Sequence, residues 1–141
     1  MEIEKLNKED FIDPMRGQPS VRFTHKGVVC FNKAAVKHLG LHDKKSGKYA
    51  IVNICREKDD PSNFGVFKDT EGWQLRNAFA DGAIFNNVGL ARFIIDTTWD
   101  RKGSCHGVGA VKPQSMVFRI ARLPLDDQKN KDVFALLRKK E

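Results

Sequence analysis

The chain has 141 residues, 40% of them hydrophobic and 30% charged, which is the composition of one ordinary globular domain and not that of a disordered tail. The three cysteines, Cys30, Cys55 and Cys105, are widely spaced with no CxxC pair, so they supply neither a disulfide framework nor a zinc ribbon. A net charge of +7 makes polyanions the first partners to consider. The start Met1-Glu2-Ile3-Glu4-Lys5 lacks the basic, apolar profile of a signal peptide, and no apolar run is long enough to span a bilayer. These features predict a cytoplasmic protein with no membrane association.

The charge is concentrated. Residues 14–56 hold nine bases and one acid, whereas residues 1–13 carry two bases and five acids and residues 57–141 are nearly balanced. The block consists of Arg16, Arg22, Lys26, Lys33, Lys37, Lys44, Lys45, Lys48 and Arg56 against Asp43. A polyanion would find its counter-charges here; the alternative is a solvated face that serves solubility. Arg138-Lys139-Lys140 forms a smaller patch at a chain end.

In chain order, residues 1–19 read as an arm, broken by Asp13-Pro14, Gly17 and Pro19. Val21-Arg22-Phe23-Thr24 alternates apolar and polar, His25-Lys26-Gly27 has turn chemistry, and Val28-Val29-Cys30-Phe31 is a β-branched apolar run, which together predict a hairpin. Asn32 is placed to cap a helix over Lys33–Leu39, and Gly40 to stop it in the left-handed conformation. That helix puts Lys33 and Lys37 on one face and turns Val36 and Leu39 towards a core. After the turn Asp43-Lys44-Lys45-Ser46-Gly47, Tyr49–Ile54 reads as a buried strand running out through Cys55-Arg56, and Phe64–Lys68 as its successor.

The second half begins with Gly72-Trp73-Gln74-Leu75-Arg76-Asn77, the turn Asp81-Gly82 and the strand Ala83-Ile84-Phe85. A helix capped by Asn86 and carrying Val88, Leu90, Ala91, Ile94 and Ile95 follows; its one central charge, Arg92, predicts that it is largely buried. Val21-Arg22 recurs as Leu75-Arg76 and Phe31-Asn32 as Phe85-Asn86, at the same interval, so each half places a hairpin before a Phe-Asn helix start. Residues 100–114 are glycine-rich and aperiodic and read as a loop, Met116–Leu123 as a late strand with Arg119 and Arg122 near one edge, and residues 128–139 as an amphipathic C-terminal helix through Val133, Phe134, Leu136 and Leu137. The expected fold is α+β: two β-hairpin-helix halves, over 20–70 and 71–125 and related by a pseudo-twofold, forming a mixed, mostly antiparallel sheet or small barrel with short helices, as one domain over 20–141.

Residues Val21 to Lys68 follow an order of signals that resembles the AbrB/MazE swapped-hairpin family: strand, Lys26-Gly27 turn, apolar strand, short helix closing in Leu39-Gly40-Leu41, then two strands. The chain has Asn32 where that family has a proline before its helix, and His42 to Gly47 where it has Gly-Asp. The resemblance implies duplex-DNA binding as a homodimer, through basic residues of the first hairpin and the helix start, which correspond to Arg22, Lys26 and Lys33.

Candidate nucleic-acid contacts are therefore Arg22, Lys26, Lys33, Lys37, Lys44, Lys45, Lys48 and Arg76, because Lys and Arg neutralise phosphates and release counterions. Base reading would fall to Arg22, Arg76 or Asn77. Single-strand binding would call on exposed aromatics among Phe23, Tyr49, Phe64, Phe67 and Trp73, most of which also suit a small sheet core; single- and double-stranded DNA both stay open. Catalysis has little support. Cys105-His106 sits near Arg101 and Lys102, but nucleophile and base ordinarily meet through the fold. His25, His38, His42 and Cys30 match no metal-ligand spacing, and the glycines at 103, 107 and 109 lack the strand-loop-helix context of a nucleotide loop. No cofactor or metal is expected. The competing expectation is a non-enzymatic protein-interaction or structural module.

Overall fold

The computed structural model describes residues 2–5, 17–101, 112–125 and 132–138. Strands β1 (Ser20–Thr24) and β2 (Val28–Phe31) form the antiparallel first hairpin, with Val21 opposite Phe31, Arg22 opposite Cys30 and Phe23 opposite Val29. The alternation in the sequence sorts the faces: Val21, Phe23, Val29 and Phe31 are fully buried, while Arg22 is exposed. At the turn, Gly27 has φ +98°, and a Cβ there would lie 2.5 Å from Val88 Cγ2, so the hairpin closes directly onto the start of the second helix.

Helix α1 (Lys33–Leu39) is capped as its sequence predicts. Asn32 Oδ1 accepts from Ala35 N at 2.8 Å and from Ser20 N at 3.1 Å, and its Nδ2 donates to the Gln18 carbonyl at 2.7 Å, so one side chain ties the helix start to the lead-in and to β1. Gly40 ends the helix at φ 64°. The lead-in is also held by Ile120 N, which donates to the Pro19 carbonyl, so the chain is docked from Gln18 onward; residues 6–16 of the expected arm lie outside the described residues.

Strands β3 (Ile51–Arg56) and β4 (Phe64–Asp69) make the second hairpin. Residues 73–77 then serve both ends of the sheet: β5 (Trp73–Gln74) pairs with β3, and β6 (Arg76–Asn77) pairs with β7 (Ala83–Asn86). Between them only Leu75 intervenes, 2% exposed. The order β5-β3-β4-β9-β8-β1-β2-β7-β6 therefore begins and ends on one short segment, giving a nearly closed, barrel-like sheet whose ladders are antiparallel among the described residues. Its interior holds Phe23, Phe31, Leu41, Leu75 and Ile120, with Phe23 edge-on to Phe118 at 5.5 Å and Trp73 stacked on Phe85 at 5.3 Å.

Helix α2 (Val88–Arg101) packs on β1 and β2 through Ala91, Ile94 and Ile95. Two expectations are corrected here. Its cap is Asn87, whose Oδ1 accepts from Leu90 N at 2.9 Å, and not Asn86, because β7 runs one residue further than the hydrophobic run suggests and pairs Asn86 with Val28. The helix is also less buried than expected: it buries the stripe of Ala91, Ile94 and Ile95, while Val88 and Phe93 are each 45% exposed and Arg92 is exposed.

The expected C-terminal helix over 128–139 is replaced by a strand. β8 (Ser115–Ile120) forms as the alternation predicts, but β9 (Phe134–Arg138) is inserted between β4 and β8 and pairs with both. Phe134, Leu136 and Leu137 satisfy a helical period and a strand period equally over so short a run; the pairing offered on two sides decides the outcome, with Leu136 turned in and Leu137 out. Residues 128–131, and the glycine-rich segment 102–111 with Cys105 and His106, lie outside the described residues.

Candidate nucleic-acid interface

The strand registers assemble a row that no local stretch of sequence contains. Arg76 pairs with Ile84, Ile84 with Cys30, Cys30 with Arg22 and Arg22 with Val117, so these five residues lie side by side across β6, β7, β2, β1 and β8. On β7, β2, β1 and β8 the neighbours of these residues point into the core, as does Leu75 just before Arg76, which turns the row outward. Arg22 and Arg76 are exposed, and with strands about 4.8 Å apart they stand roughly 14 Å from one another. Arg119, also exposed, lies on the same outer face opposite Ser20.

These five strands contain no aspartate or glutamate. The guanidinium groups are thus not cancelled from within their own face. With the Asn86 amide turned so that its oxygen and nitrogen each meet a partner, that oxygen accepts from Arg76 Nη2 at 2.8 Å and orients the guanidinium along the face. Between the two arginines sits Cys30, whose thiol burial pushes above its ordinary pKa while the Arg22 charge draws it partly back.

The remaining candidates fall elsewhere. Lys33 and Lys37 occupy the exposed side of α1, beyond the far end of β2; Lys33 Nζ stands 3.7 Å from Asp81 Oδ2, a pair between highly exposed side chains that holds little energy. Lys44, Lys45 and Lys48 are exposed on the turn after α1. That turn is organised by Asp43, whose carboxylate accepts from Ser46 Oγ and from Lys45 N, each at 3.0 Å; these bonds, the serine's first, hold its pKa below the ordinary aspartate value. Tyr49 pins the turn to β6 by stacking on His42 at 4.3 Å and donating to Asn77 Oδ1 at 3.1 Å. Lys26 lies at the opposite end of the hairpin, near the start of α2, where Arg92 Nε donates to the His25 carbonyl. The fold therefore brings Arg22 together with Arg76 and leaves the α1 lysines, those of the following turn and Lys26 off that row.

The aromatic candidates for base stacking are mostly spent elsewhere. Phe23 and Phe64 are core residues, Trp73 stacks on Phe85, and Tyr49 is engaged with His42 and Asn77. Phe79, which sequence reasoning passed over, is 98% exposed. The histidines and Cys30 are not brought together either: His38 contacts the Ala121 carbonyl and the Phe134 ring, and no group of three metal-ligating residue types occurs among the described residues.

Cavities among the described residues lie away from the arginine row. One, of about 550 Å³, opens between the end of α1 and β4, with Lys37, His38 and Lys68 beside Leu41, Val52 and Phe134. Another, of about 650 Å³, is an apolar groove over Cys55, Phe67, Ala135 and Leu137. No helix among the described residues is long and apolar enough to cross a membrane. No protein-family model, curated protein or solved structure was found to match this chain.

Proposed function

We propose that the chain is a small non-enzymatic nucleic-acid-binding protein, a DNA-binding regulator that holds phosphates on the outer face of β1, β2, β6, β7 and β8. The observation that carries this reading is the acid-free row joining Arg76 to Arg22 with Arg119 beside it. Guanidinium groups in fixed register give a polyanion several simultaneous partners, and each phosphate neutralised releases counterions. Lys33, Lys37, Lys44, Lys45 and Lys48 widen the positive field from the α1 end.

The β1-β2-α1-β3-β4 order agrees with the AbrB/MazE-like reading of Val21 to Lys68. We also read β5/β6-β7-α2-β8-β9 as a second, related half, supported by a circular strand order that is unchanged when β1 exchanges with β5/β6, β2 with β7, β3 with β8 and β4 with β9. In this reading two halves within one chain supply the dyad, and a homodimer would carry two such rows.

Fluorescence anisotropy with labelled single- and double-stranded DNA at two salt concentrations tests the function. Each phosphate contact to duplex contributes about −0.9 to the slope of log K against log salt, so the folded triple variant Arg22→Ala, Arg76→Ala, Arg119→Ala loses about 2.7 of that slope. Absence of binding to either DNA at low salt would remove the proposal. The groove over Phe67 and Leu137 favours a second reading, a protein-interaction module, to which a pull-down would then turn.

A further inference from the structure

We infer that Phe79 is a base-stacking residue: the turn between β6 and β7 holds its ring out to receive the face of a nucleobase at the end of the arginine row. This rests on the nucleic-acid reading above. In a chain whose Phe23, Phe31 and Phe85 are at most 2% exposed, Phe79 is 98% exposed, so none of its apolar surface serves the core. Phe79 opens a tight turn (Phe79–Asp81) in which two residues other than glycine, Ala80 at φ 59° and Asp81 at φ 61°, are left-handed. Such conformations persist where the surroundings impose them, and they collect at binding sites.

The surroundings here are on both sides of the turn. Ala78 N donates to the Gly82 carbonyl and Gly82 N to the Phe79 carbonyl, which closes the loop on itself. Gly82 is pressed against the sheet, since a Cβ there would come within 2.6 Å of the Phe31 carbonyl oxygen. Asn77, two residues before Phe79, is held by the Tyr49 hydroxyl. The backbone that carries the ring is thus already fixed, and engagement has only the two side-chain torsions of Phe79 left to order.

Charge identifies the occupant. Arg76 lies three residues before the ring, and Lys33 offsets Asp81, the turn's own carboxylate. An aromatic face with the phosphate partner Arg76 beside it suits a nucleobase attached to its own backbone, and stacking of this kind tolerates any base. An unpaired base could lie on the ring, or the ring could enter a base step of a duplex; the chemistry is the same.

The test uses the full chain with Phe79→Ala and Phe79→Trp, and an oligonucleotide carrying one 2-aminopurine, both single-stranded and annealed. Phe79→Ala should weaken binding about 5- to 150-fold while leaving the salt slope unchanged, because no phosphate contact is removed. It should also abolish the 2-aminopurine fluorescence change that the parent produces. Phe79→Trp should restore affinity, with its own emission quenched by the stacked base. A response only in the single strand assigns the ring to unpaired bases, and a response in the duplex assigns it to a base step. A variant Phe79→Ala that binds as the parent does, with the same fluorescence change, overturns the inference and leaves the nucleic-acid reading standing. If the parent itself binds neither form, the reading fails and the inference with it. Because the ring lies outside the core, the melting temperature of Phe79→Ala should stay with that of the parent, and unchanged melting separates lost stacking from lost folding.

Discussion

Replacing Gly27 by alanine probes the joint between the first hairpin and α2. The backbone there has φ +98°, a conformation that costs a residue with a Cβ about 1–2 kcal/mol. The added carbon would also meet Val88 at Cγ2 (2.5 Å), Cα and N (both 2.9 Å). The methyl can rotate aside, but the helix backbone can shift only with the hydrogen bond from Asn87 N to the Gly27 carbonyl, so an overpacking cost of about 1–3 kcal/mol is added. Reduced freedom of the unfolded chain returns roughly 0.4–1 kcal/mol. The net is about 1–4.6 kcal/mol, which for a chain of this size lowers the melting temperature by roughly 3–18 °C. Gly47→Ala is the control, because Gly47 has φ +73° with nothing within 4 Å of its Cβ position and so carries the conformational cost alone. Urea and thermal unfolding of both variants give the comparison. Equal losses for the two would refute the packing of this turn on the helix.

Other outcomes follow from the same geometry. Asn87→Ala should cost about 1 kcal/mol as the loss of a cap, and Asn32→Ala distinctly more, because Asn32 also bonds Ser20 N and the Gln18 carbonyl; denaturant midpoints rank them, and equal losses would contradict the three-way role of Asn32. The Asp43 carboxyl has a folded pKa below its unfolded one, so its contribution to the turn is complete above the unfolded value and is lost as pH falls through the folded value. Carboxyl shifts followed by NMR should therefore titrate Asp43 below the ordinary aspartate range, and Ser46→Ala should move it upward. Arg22→Ala removes the charge that favours the Cys30 thiolate, so Cys30 alkylation should slow at a fixed, mildly alkaline pH, as peptide mass spectrometry would show.

Local signals carried much of the fold. The first hairpin, the Asn32 cap, the Gly40 stop and the β3–β4 hairpin rest on interactions between near neighbours, and their residue types announce them. Residues 134–138 could not be read this way, because their state depends on β4 and β8, about 70 and 20 residues earlier in the chain. The Asn86 cap failed for a related reason: the extra strand residue depends on its partner Val28. Likewise the charge block located Arg22 but grouped it with the lysines that follow it in sequence, whereas the fold sets it in line with Arg76. Arg119 was visible only as a residue near a strand edge. Phe79 carried no signal at all, since nothing in Ala78-Phe79-Ala80-Asp81 reveals that the ring faces solvent.

Protection of Cys30 by DNA tests the proposed interface most directly. Cys30 lies in the row between Arg22 and Ile84, whereas Cys55 is on the outer side of β3, separated from β2 by β7 and the β5/β6 segment. With saturating duplex or single-stranded DNA at low salt, alkylation of Cys30 should slow by at least several-fold while that of Cys55 is unchanged, and added salt should restore the Cys30 rate. An unchanged Cys30 rate with DNA bound, or equal protection of both thiols, would contradict the assignment of this face.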